Sequence, residues 1–279
     1  MHPKIIEILK KIRSIFFVSK ICPVTVTTVP NRLLENKTAL ITGGAGGIGF
    51  AIAKRFTESG CKVILCGIHE DKLKAACEKL GSNARYLMLN VLDIPKIQSK
   101  IQEAVKLFSD DGQIDILVNS AGIHGNSVFE TVTESEYDSV LDINLKGTFF
   151  MCKEMSIYMK EKQIKGRILN ISSASSIKPA WAPYEISKWG VRGFTLGLAR
   201  ELIPYEIVVN SIAPGPVATP MLHWKEGDSL EWPSNPSGRL ALPDEIGNLA
   251  VFMVSDLGKY IVGDTFFITG GSGTICIDK

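Results

Sequence analysis

Two tyrosine and lysine pairs have a spacing that places both side chains on one face of a helix. Tyr184 precedes Lys188 by four residues, and Tyr158 precedes Lys162 by four. A lysine one helical turn from a tyrosine lies on the same face, and its positive charge favours the phenolate. The phenol, whose ordinary pKa is about 10, then becomes acidic enough to exchange protons near neutral pH. The spacing alone fits either pair.

The surroundings of the two pairs differ. Tyr184 stands at the predicted start of a helix, shortly after two serines at the end of a predicted strand, residues 167–171. Tyr158 lies late in a long helical pattern, far in sequence from any strand end. Ligands of parallel sheets bind at the carboxyl ends of the strands. The sequence therefore predicts that Tyr184 and Lys188 face a ligand, with a strand-end hydroxyl beside the phenol to hold a substrate oxygen.

A glycine-rich turn, residues 42–49 with the sequence TGGAGGIG, separates the first predicted strand from the first predicted helix. Glycines at such a turn let the backbone approach a pyrophosphate closely, and the helix N-terminus faces the phosphates. A tight turn without a ligand is the alternative interpretation. Its strand-turn-helix context favours binding of a dinucleotide.

The end of the second predicted strand bears on the type of dinucleotide. Eighteen residues after Gly49 stands Gly67, where a carboxylate would bind the ribose hydroxyls of NAD and repel the 2′-phosphate of NADP. No arginine is present to attract that phosphate, and His69 and Lys72 are the nearby donors, with a solvated loop as the alternative. We expect NADP as the preferred cofactor and NAD as the second.

The elements that must position these residues alternate along the chain. Short apolar runs predict seven strands, and helical patterns separate them, so we expect an α/β fold, a Rossmann-like doubly wound parallel β-sheet flanked by helices. Residues 221–238 are less regular and form a candidate lid. The predicted strands are residues 39–41, 62–66, 86–91, 114–119, 167–171, 207–212 and 265–269; the predicted helices are 48–59, 71–80, 94–108, 134–160, 184–203 and 244–254.

The predicted division of the chain is an N-terminal part, residues 1–34, and a single dinucleotide-binding catalytic domain, residues 35–279. Residues 5–18 carry apolar side chains at helical spacing with lysines and an arginine between them, which predicts a basic amphipathic helix followed by a linker. This helix is too short and too charged to span a bilayer. Contact of residues 1–20 with a membrane surface is one interpretation; packing on the domain or on a sister subunit is favoured.

Composition excludes several classes of function. A net charge of +2 without a dense basic patch argues against nucleic-acid binding. The six cysteines are scattered without paired spacing or nearby histidines, so neither a metal site nor a disulfide framework is expected. Reduced thiols of this kind are typical of a cytoplasmic protein.

Further groups of residues stand at characteristic places around the glycine turn and the Tyr184–Lys188 pair. They are Asn119-Ser120-Ala121-Gly122, Asn144, Ser172-Ser173, Pro214-Gly215 with Val217 and Thr219, and Arg239 with Pro243 and Glu245-Ile246. Over residues 36–271 the whole pattern resembles the short-chain dehydrogenase/reductase (SDR) family, in its ordinary single-domain type.

The resemblance implies a role for each matching residue. Tyr184 would be the general acid/base, Lys188 would lower its pKa and bind the ribose, Ser173 would orient the substrate carbonyl, and Asn144 would support a proton relay. Ser173 and Tyr184 would bind the substrate. The implied cofactor-binding residues are Thr42, Gly43, Ala45, Gly47, Ile48, Gly49, Gly67, Ile68, His69, Asn90, Val91, Asn119, Ala121, Gly122, Tyr184, Lys188, Pro214, Gly215, Val217 and Thr219.

The sequence departs from the family pattern in places. Asn90 replaces the usual aspartate near the adenine, and residues 269–271 read Thr-Gly-Gly. The interval from Ser173 to Tyr184 is 11 residues, which is shorter than the family's common spacing. The short interval leaves open whether Ser172 or Ser173 is catalytic, and the match of residues 170–173 favours Ser173.

These observations predict an NAD(P)-dependent oxidoreductase acting on CH–OH/C=O groups, in particular an NADPH-dependent ketone reductase of the 3-oxoacyl type or a related kind. Homotetramers or homodimers through the helices 134–160 and 184–203 are expected from the resemblance. A catalytically silent NAD(P)-binding scaffold or sensor and a peripheral membrane enzyme acting on lipid-linked or surface-polymer precursors are the alternatives. The substrate is not identified, and its candidate contacts are Trp181, His124, Met221, Trp224 and Trp232.

Overall fold

The computed structural model describes residues 32–109, 112–125 and 128–275. Its strands are β1 (Thr38–Thr42), β2 (Lys62–Gly67), β3 (Ala84–Met88), β4 (Ile116–Asn119), β5 (Arg167–Ile171), β6 (Val208–Pro214) and β7 (Thr265–Ile268). All pair in parallel in one sheet of order β3-β2-β1-β4-β5-β6-β7. The chain begins at the centre, builds to one edge and then crosses to the other, which confirms the predicted doubly wound sheet.

The strands are continuous apolar runs because both faces of the sheet are covered. In β1, Ala39 and Ile41 pack into one core layer and Leu40 into the layer on the opposite face, and all three are fully buried. The helices are α1 (Gly47–Glu58), α2 (Glu70–Leu80), α3 (Ile97–Val105), α4 (Glu134–Leu141), α5 (Thr148–Glu161), α6 (Pro183–Leu202) and α7 (Pro243–Val254). Residues of α1, α2 and α7 join the first layer, and residues of α3, α5 and α6 join the second.

Three predicted elements differ from the structure by more than two residues at an end. The helix expected over residues 94–108 is α3, Ile97–Val105, preceded by a 3₁₀ turn, Ile94–Lys96. The third strand was expected over residues 86–91, but β3 occupies residues 84–88, since Leu89 and Val91 are buried by packing beyond the paired ladder. The single helix expected over residues 134–160 is divided by a π-helical turn, Asp142–Gly147. Such turns occur at functional sites, and this one contains Asn144, whose side chain bonds a neighbouring loop rather than facing solvent.

Residues 221–238, the candidate lid, contain no long helix or strand. The segment closes on itself where the backbone N–H of Trp232 donates to the carbonyl of Gly238, at 2.8 Å. Next to it, the guanidinium of Arg239 donates two hydrogen bonds of 2.8 Å to the carboxylate of Glu245 in α7. The end of the lid is thereby fixed to the first turn of that helix.

The predicted amphipathic helix at the N-terminus lies outside the described residues. Leu34, at the end of the predicted linker, is 1% exposed and belongs to the core layer of α1 and α7. The division of the chain at residue 34 stays a prediction. Within the described residues, no helix combines the length and the apolar character that a membrane crossing requires.

Candidate active site

A cleft of about 650 Å³ opens at the carboxyl ends of β1, β4, β5 and β6. The chain changes direction across the sheet between β1 and β4, and this switch point is where doubly wound sheets bind ligands. The predicted site residues that line the cleft are Gly43, Ala45, Gly47, Ile48, Ala121, Gly122, Ser173, Tyr184, Lys188, Pro214, Gly215, Val217 and Thr219. Both halves of the predicted site, glycine turn and Tyr–Lys pair, therefore meet in one cavity.

Tyr184 is placed by the start of α6, which begins at Pro183 and follows the turn after β5. Burial raises the pKa of the Tyr184 phenol, and a hydrogen bond with the Ser173 side chain opposes that rise. The imidazole of His124 packs against the phenol ring, with 4.3 Å between the ring centroids. The phenol is thus held in its protonated form, ready to donate a proton rather than to accept one.

Lys188 stands one turn further along α6 and is 6% exposed. Its Nζ donates to the carbonyl of Ile171 at the end of β5, at 2.9 Å, and lies 5.6 Å from the centroid of the Tyr184 ring. Burial lowers the pKa of Lys188 to about 8. Burial is the largest influence on the pKa of Tyr184, and the predicted lowering of that pKa by Lys188 stays a prediction.

The two serines after β5 point in different directions. The Ser172 hydroxyl is 3% exposed and donates to the backbone carbonyl of Lys188, at 3.0 Å. Both serines line the cleft, but it is the Ser173 side chain that hydrogen-bonds with the Tyr184 phenol, and its hydroxyl also accepts the backbone N–H of Ser175, at 3.1 Å. Ser172 therefore secures α6 to β5, and Ser173 is the serine whose hydroxyl can reach a ligand.

Asn144 lies behind the cleft wall and is 1% exposed. Its side-chain Oδ1 accepts the N–H of Ile123 and its Nδ2 donates to the carbonyl of Ile123, both at 2.9 Å. The same Nδ2 lies 3.1 Å from the hydroxyl of Ser187. The amide thus holds the loop after β4 against α6, which positions Gly122 on the cleft wall.

The glycine turn fits a dinucleotide pyrophosphate. A side chain at Gly49 would place its Cβ 2.3 Å from the carbonyl oxygen of Gly43, so only glycine lets α1 begin this close to the turn. A Cβ at Gly46 would meet nothing within 4 Å and would project into the open cleft, where a phosphate group would lie. The turn leads directly into the N-terminus of α1, whose free N–H groups attract anions.

Other predicted residues do not line this cavity. The Thr42 hydroxyl accepts the N–H groups of Ser120 and Ala121, joining the ends of β1 and β4. Asn119 is buried between β4 and β5, where its Nδ2 donates to Asn170 at 2.9 Å. The remaining ones are Gly49, Gly67, Ile68, His69, Asn90, Val91 and Asn144. Their predicted roles stay predictions.

The second tyrosine and lysine pair is remote from the cleft. The hydroxyl of Tyr158 accepts the backbone N–H of Ile114, at 3.3 Å, near the start of β4. Burial raises the pKa of Tyr158, and Lys162 is exposed at the end of α5. This pair joins a helix to the sheet at the edge opposite the carboxyl ends of the strands.

The substrate end of the cleft contains residues that were not predicted from the sequence. Lys178, Ser175 and Ser272 line the cleft together with Leu222 and Pro216. Ser272 follows β7, so the rule that ligands lie at the carboxyl ends of parallel strands was a usable signal for it. Of the aromatic and methionine candidates, His124, Met221 and Trp232 line the cleft, whereas Trp181 and Trp224 do not.

A larger cavity of about 750 Å³ is lined by residues 223–226 of the candidate lid, Trp224 among them. Lys54, Lys225 and Asp244 line it, but none of the predicted catalytic residues does. We identify the smaller cleft as the candidate active site because it gathers the proton donor and the glycine turn. Within the described residues, no cluster of three His, Cys, Asp or Glu side chains could hold a metal ion.

Comparison with known proteins agrees with this geometry. The family model for short chain dehydrogenase matches residues 37–229. The 3-oxoacyl-(acyl-carrier-protein) reductase FabG of Chlamydia muridarum is 36% identical over 250 residues, covering 86% of this chain and 99% of that protein. The (2S)-((R)-hydroxy(phenyl)methyl)succinyl-CoA dehydrogenase subunit BbsD of Thauera aromatica is 33% identical over 246 residues, covering 85% and 97%.

A solved structure shows the same architecture. The 3-ketoacyl-(acyl-carrier-protein) reductase from Brucella melitensis, complexed with NADH, superposes with a TM-score of 0.78 at 30% identity and covers 87% of this chain and 100% of that chain. The resemblance inferred from the motifs is confirmed, and with it the expectation of an oxidoreductase acting on carbonyl or alcohol groups. The chain belongs to the short chain dehydrogenase family.

Proposed function

We propose that the protein is an NADPH-dependent reductase of a ketone, of the 3-oxoacyl type. The observation that carries the proposal is the meeting of Ser173, Tyr184 and Lys188 with the glycine turn in one cleft. Relatives named as 3-oxoacyl-(acyl-carrier-protein) reductase and acetoacetyl-CoA reductase, each about 36% identical, support the substrate class.

Each residue has a defined task in this reaction. Bound NADPH supplies the hydride that reaches the carbonyl carbon. The Ser173 hydroxyl holds the carbonyl oxygen beside Tyr184, and the phenol donates a proton to that oxygen as negative charge develops on it. Lys188, charged below pH about 8, stabilises the phenolate that remains and binds the ribose hydroxyls.

The cofactor preference rests on the adenosine end of the cleft. Gly67 carries no carboxylate, and no Asp or Glu lines the cleft within the described residues. Lys72, in the first turn of α2, does line it and would contact the 2′-phosphate of NADP(H). His69 is a second candidate donor at the N-terminus of the same helix.

A substitution at Gly67 tests this preference sharply. A Cβ there would lie 3.7 Å from Leu73, an ordinary contact, so a side chain is tolerated. Gly67→Asp should weaken NADPH binding by about tenfold or more and strengthen NADH binding, because the carboxylate repels the phosphate and binds ribose hydroxyls. Gly67→Ala is the matched control. Equal affinity of the unmodified protein for NADPH and NADH would refute the preference.

The reaction itself is tested with purified protein, NADPH and a 3-oxoacyl thioester, by following cofactor oxidation. Steady oxidation that requires the thioester supports the proposal. Tight NADPH binding without oxidation across a carbonyl panel would contradict it and favour the silent scaffold instead.

We place the enzyme in the cytoplasm as a homo-oligomer. The described cysteines, Cys61, Cys66, Cys77 and Cys152, are free thiols, as expected in a reducing compartment. Exposed apolar side chains on α5 and α6, namely Phe149, Ile186, Trp189 and Leu196, support assembly through those helices. Sedimentation of the purified protein tests the assembly, and a monomer at micromolar concentration would contradict a homo-oligomer.

A further inference from the structure

The charged groups that line the cleft are all basic. They are Lys72, Lys178 and Lys188, accompanied by His124, and within the described residues no carboxylate faces them across the cavity. Lys72 belongs to the adenosine end and Lys188 to the Tyr184 pair. The positive charge of Lys178 has no task in the reaction proposed above.

Lys178 lies in the short link between Ser173 and Tyr184, on the substrate side of the cleft. Its Nζ donates to the hydroxyl of Ser272, at 2.9 Å, and within the described residues it forms no ion pair. Its backbone carbonyl accepts the indole N–H of Trp189, at 2.9 Å. An ammonium group is thus held beside a hydroxyl, and no carboxylate in the described part of the chain pairs with it.

The side chain of Lys178 is also confined along its length. A Cβ at Gly273 would lie 2.8 Å from the Lys178 Cε, so the segment after β7 packs directly on the lysine stem. This confinement reduces the entropy lost when the ammonium binds a ligand. The lysine is therefore pre-organised rather than free in solvent.

A side chamber of about 280 Å³ adjoins the cleft at this lysine. Lys178 and Ser272 line both cavities, and the lid contributes residues 233–236 to the chamber. Among these, Asn235 is 5% exposed and donates through Nδ2 to Ser237 and to the carbonyl of Arg239. Its Oδ1 is buried and has no hydrogen-bond partner within the described residues. Because that oxygen is buried, the chamber does not expose it; the groups that the chamber offers to an anion are the Lys178 ammonium and the Ser272 hydroxyl.

We propose that Lys178, with Ser272, binds a carboxylate or phosphate group of the substrate, whose carbonyl lies at Tyr184 and whose anionic end enters the side chamber. This specificity site rests on the proposed function for the identity of the reacting carbonyl. A bridge of Lys178 to Ser272 that only joins the link to the segment after β7 is the alternative.

The test uses keto acids of increasing length, 4-oxopentanoate and 5-oxohexanoate, each beside its methyl ester, with NADPH as the reductant. For the keto acid whose length spans Tyr184 and Lys178, we expect kcat/KM to be about tenfold higher than for its methyl ester. Lys178→Gln should abolish that preference through KM, and Lys178→Arg should retain most of it. A second pair, dihydroxyacetone phosphate and dihydroxyacetone, tests phosphate in the same way. The pair in which Lys178→Gln removes the larger preference for the anionic substrate identifies the anion.

Two controls separate specificity from structure. The matched control is Lys106→Gln, at an exposed position after α3. It should leave the ratio of kcat/KM for acid to that for ester unchanged. Ser272→Ala should reduce the ratio less than Lys178→Gln does. The specificity site is refuted if Lys178→Gln lowers kcat/KM equally for the anionic and the neutral substrate of each pair. It is also refuted if the unmodified protein distinguishes neither acid from ester nor dihydroxyacetone phosphate from dihydroxyacetone.

Binding measurements keep this result separate from failure of the proposed function. Calorimetry of the protein loaded with NADP⁺ should show tighter binding of 4-hydroxypentanoate or 5-hydroxyhexanoate than of the corresponding methyl esters, lost in Lys178→Gln. Acid-selective binding without any turnover would support the anion site and contradict only the reductase. Turnover of neutral ketones without acid-selective binding would contradict only the anion site.

Discussion

The two tyrosine and lysine pairs have the same spacing but different environments. Tyr184 and Lys188 begin a helix at the carboxyl end of β5 and line a cleft with Ser173. Tyr158 and Lys162 end a helix at the opposite edge of the sheet, where the phenol accepts the N–H of Ile114. A short motif therefore acquires its chemistry from the strand end beside it and not from its spacing.

The strongest test of this comparison exchanges each phenol for phenyl. Tyr184→Phe should lower kcat by about 10³-fold or more, since it removes the proton donor, while NADPH affinity stays within about threefold. Tyr158→Phe should leave kcat near that of the unmodified protein. Steady-state rates with a 3-oxoacyl thioester check both variants. Substantial turnover by the Tyr184 variant would remove the distinction between the pairs.

The lysines should differ in the pH dependence that they confer. The pKa of Lys188 is about 8, below its ordinary value, so its charge is lost as the pH rises through about 8, whereas Tyr184, with a raised pKa, stays protonated there. The rate of reduction should therefore fall above pH about 8. In Lys188→Arg the side chain stays charged, so this fall should disappear although the rate is about 10²-fold lower.

The control for that profile is Lys162→Gln, at an exposed position, which should keep both the rate and its decline above pH about 8. A profile that is flat to pH 10 in the unmodified protein, or a decline that survives in Lys188→Arg, would show that Lys188 does not govern the reaction.

The two serines that precede the active pair should also differ in the effect of their substitution. Ser173→Ala should lower kcat/KM by about 10- to 100-fold, because the carbonyl oxygen loses its hydroxyl contact. Ser172→Ala should change the rate little and reduce the free energy of unfolding by about 1 kcal/mol, through the lost bond to the Lys188 carbonyl. Paired kinetics and urea unfolding decide between them, and the reverse pattern would make Ser172 the catalytic serine.

The smallest effect is expected at the remote pair. Tyr158→Phe removes the acceptor of the Ile114 N–H, so the free energy of unfolding should fall by about 1 kcal/mol without any loss of kcat. Urea unfolding measures the stability loss. A loss of activity larger than the loss of folded protein would give Tyr158 a role that its position at the far edge does not explain.

Much of this arrangement could be predicted from the sequence. Continuous apolar runs specify buried parallel strands. The glycine turn follows one such run directly and Tyr184 follows another after a short link, so their meeting at one sheet edge follows from the topology. The π-helical turn around Asn144 could not be predicted, because the turn places Asn144 in a contact with Ile123 that is distant in sequence. Lys178 and Ser272 were missed for a related reason, since 94 residues separate them and only the packing of irregular segments joins them.

One labelling measurement tests the central claim most directly. NADPH deuterated at the transferred position is supplied with a 3-oxoacyl thioester, and the hydroxyacyl product is examined by mass spectrometry. We expect one deuterium on the carbinol carbon with the unmodified protein and with Tyr158→Phe, and no appreciable product with Tyr184→Phe. A product without deuterium, or equal labelled product from the Tyr184 variant, would contradict hydride transfer completed by the Tyr184 proton.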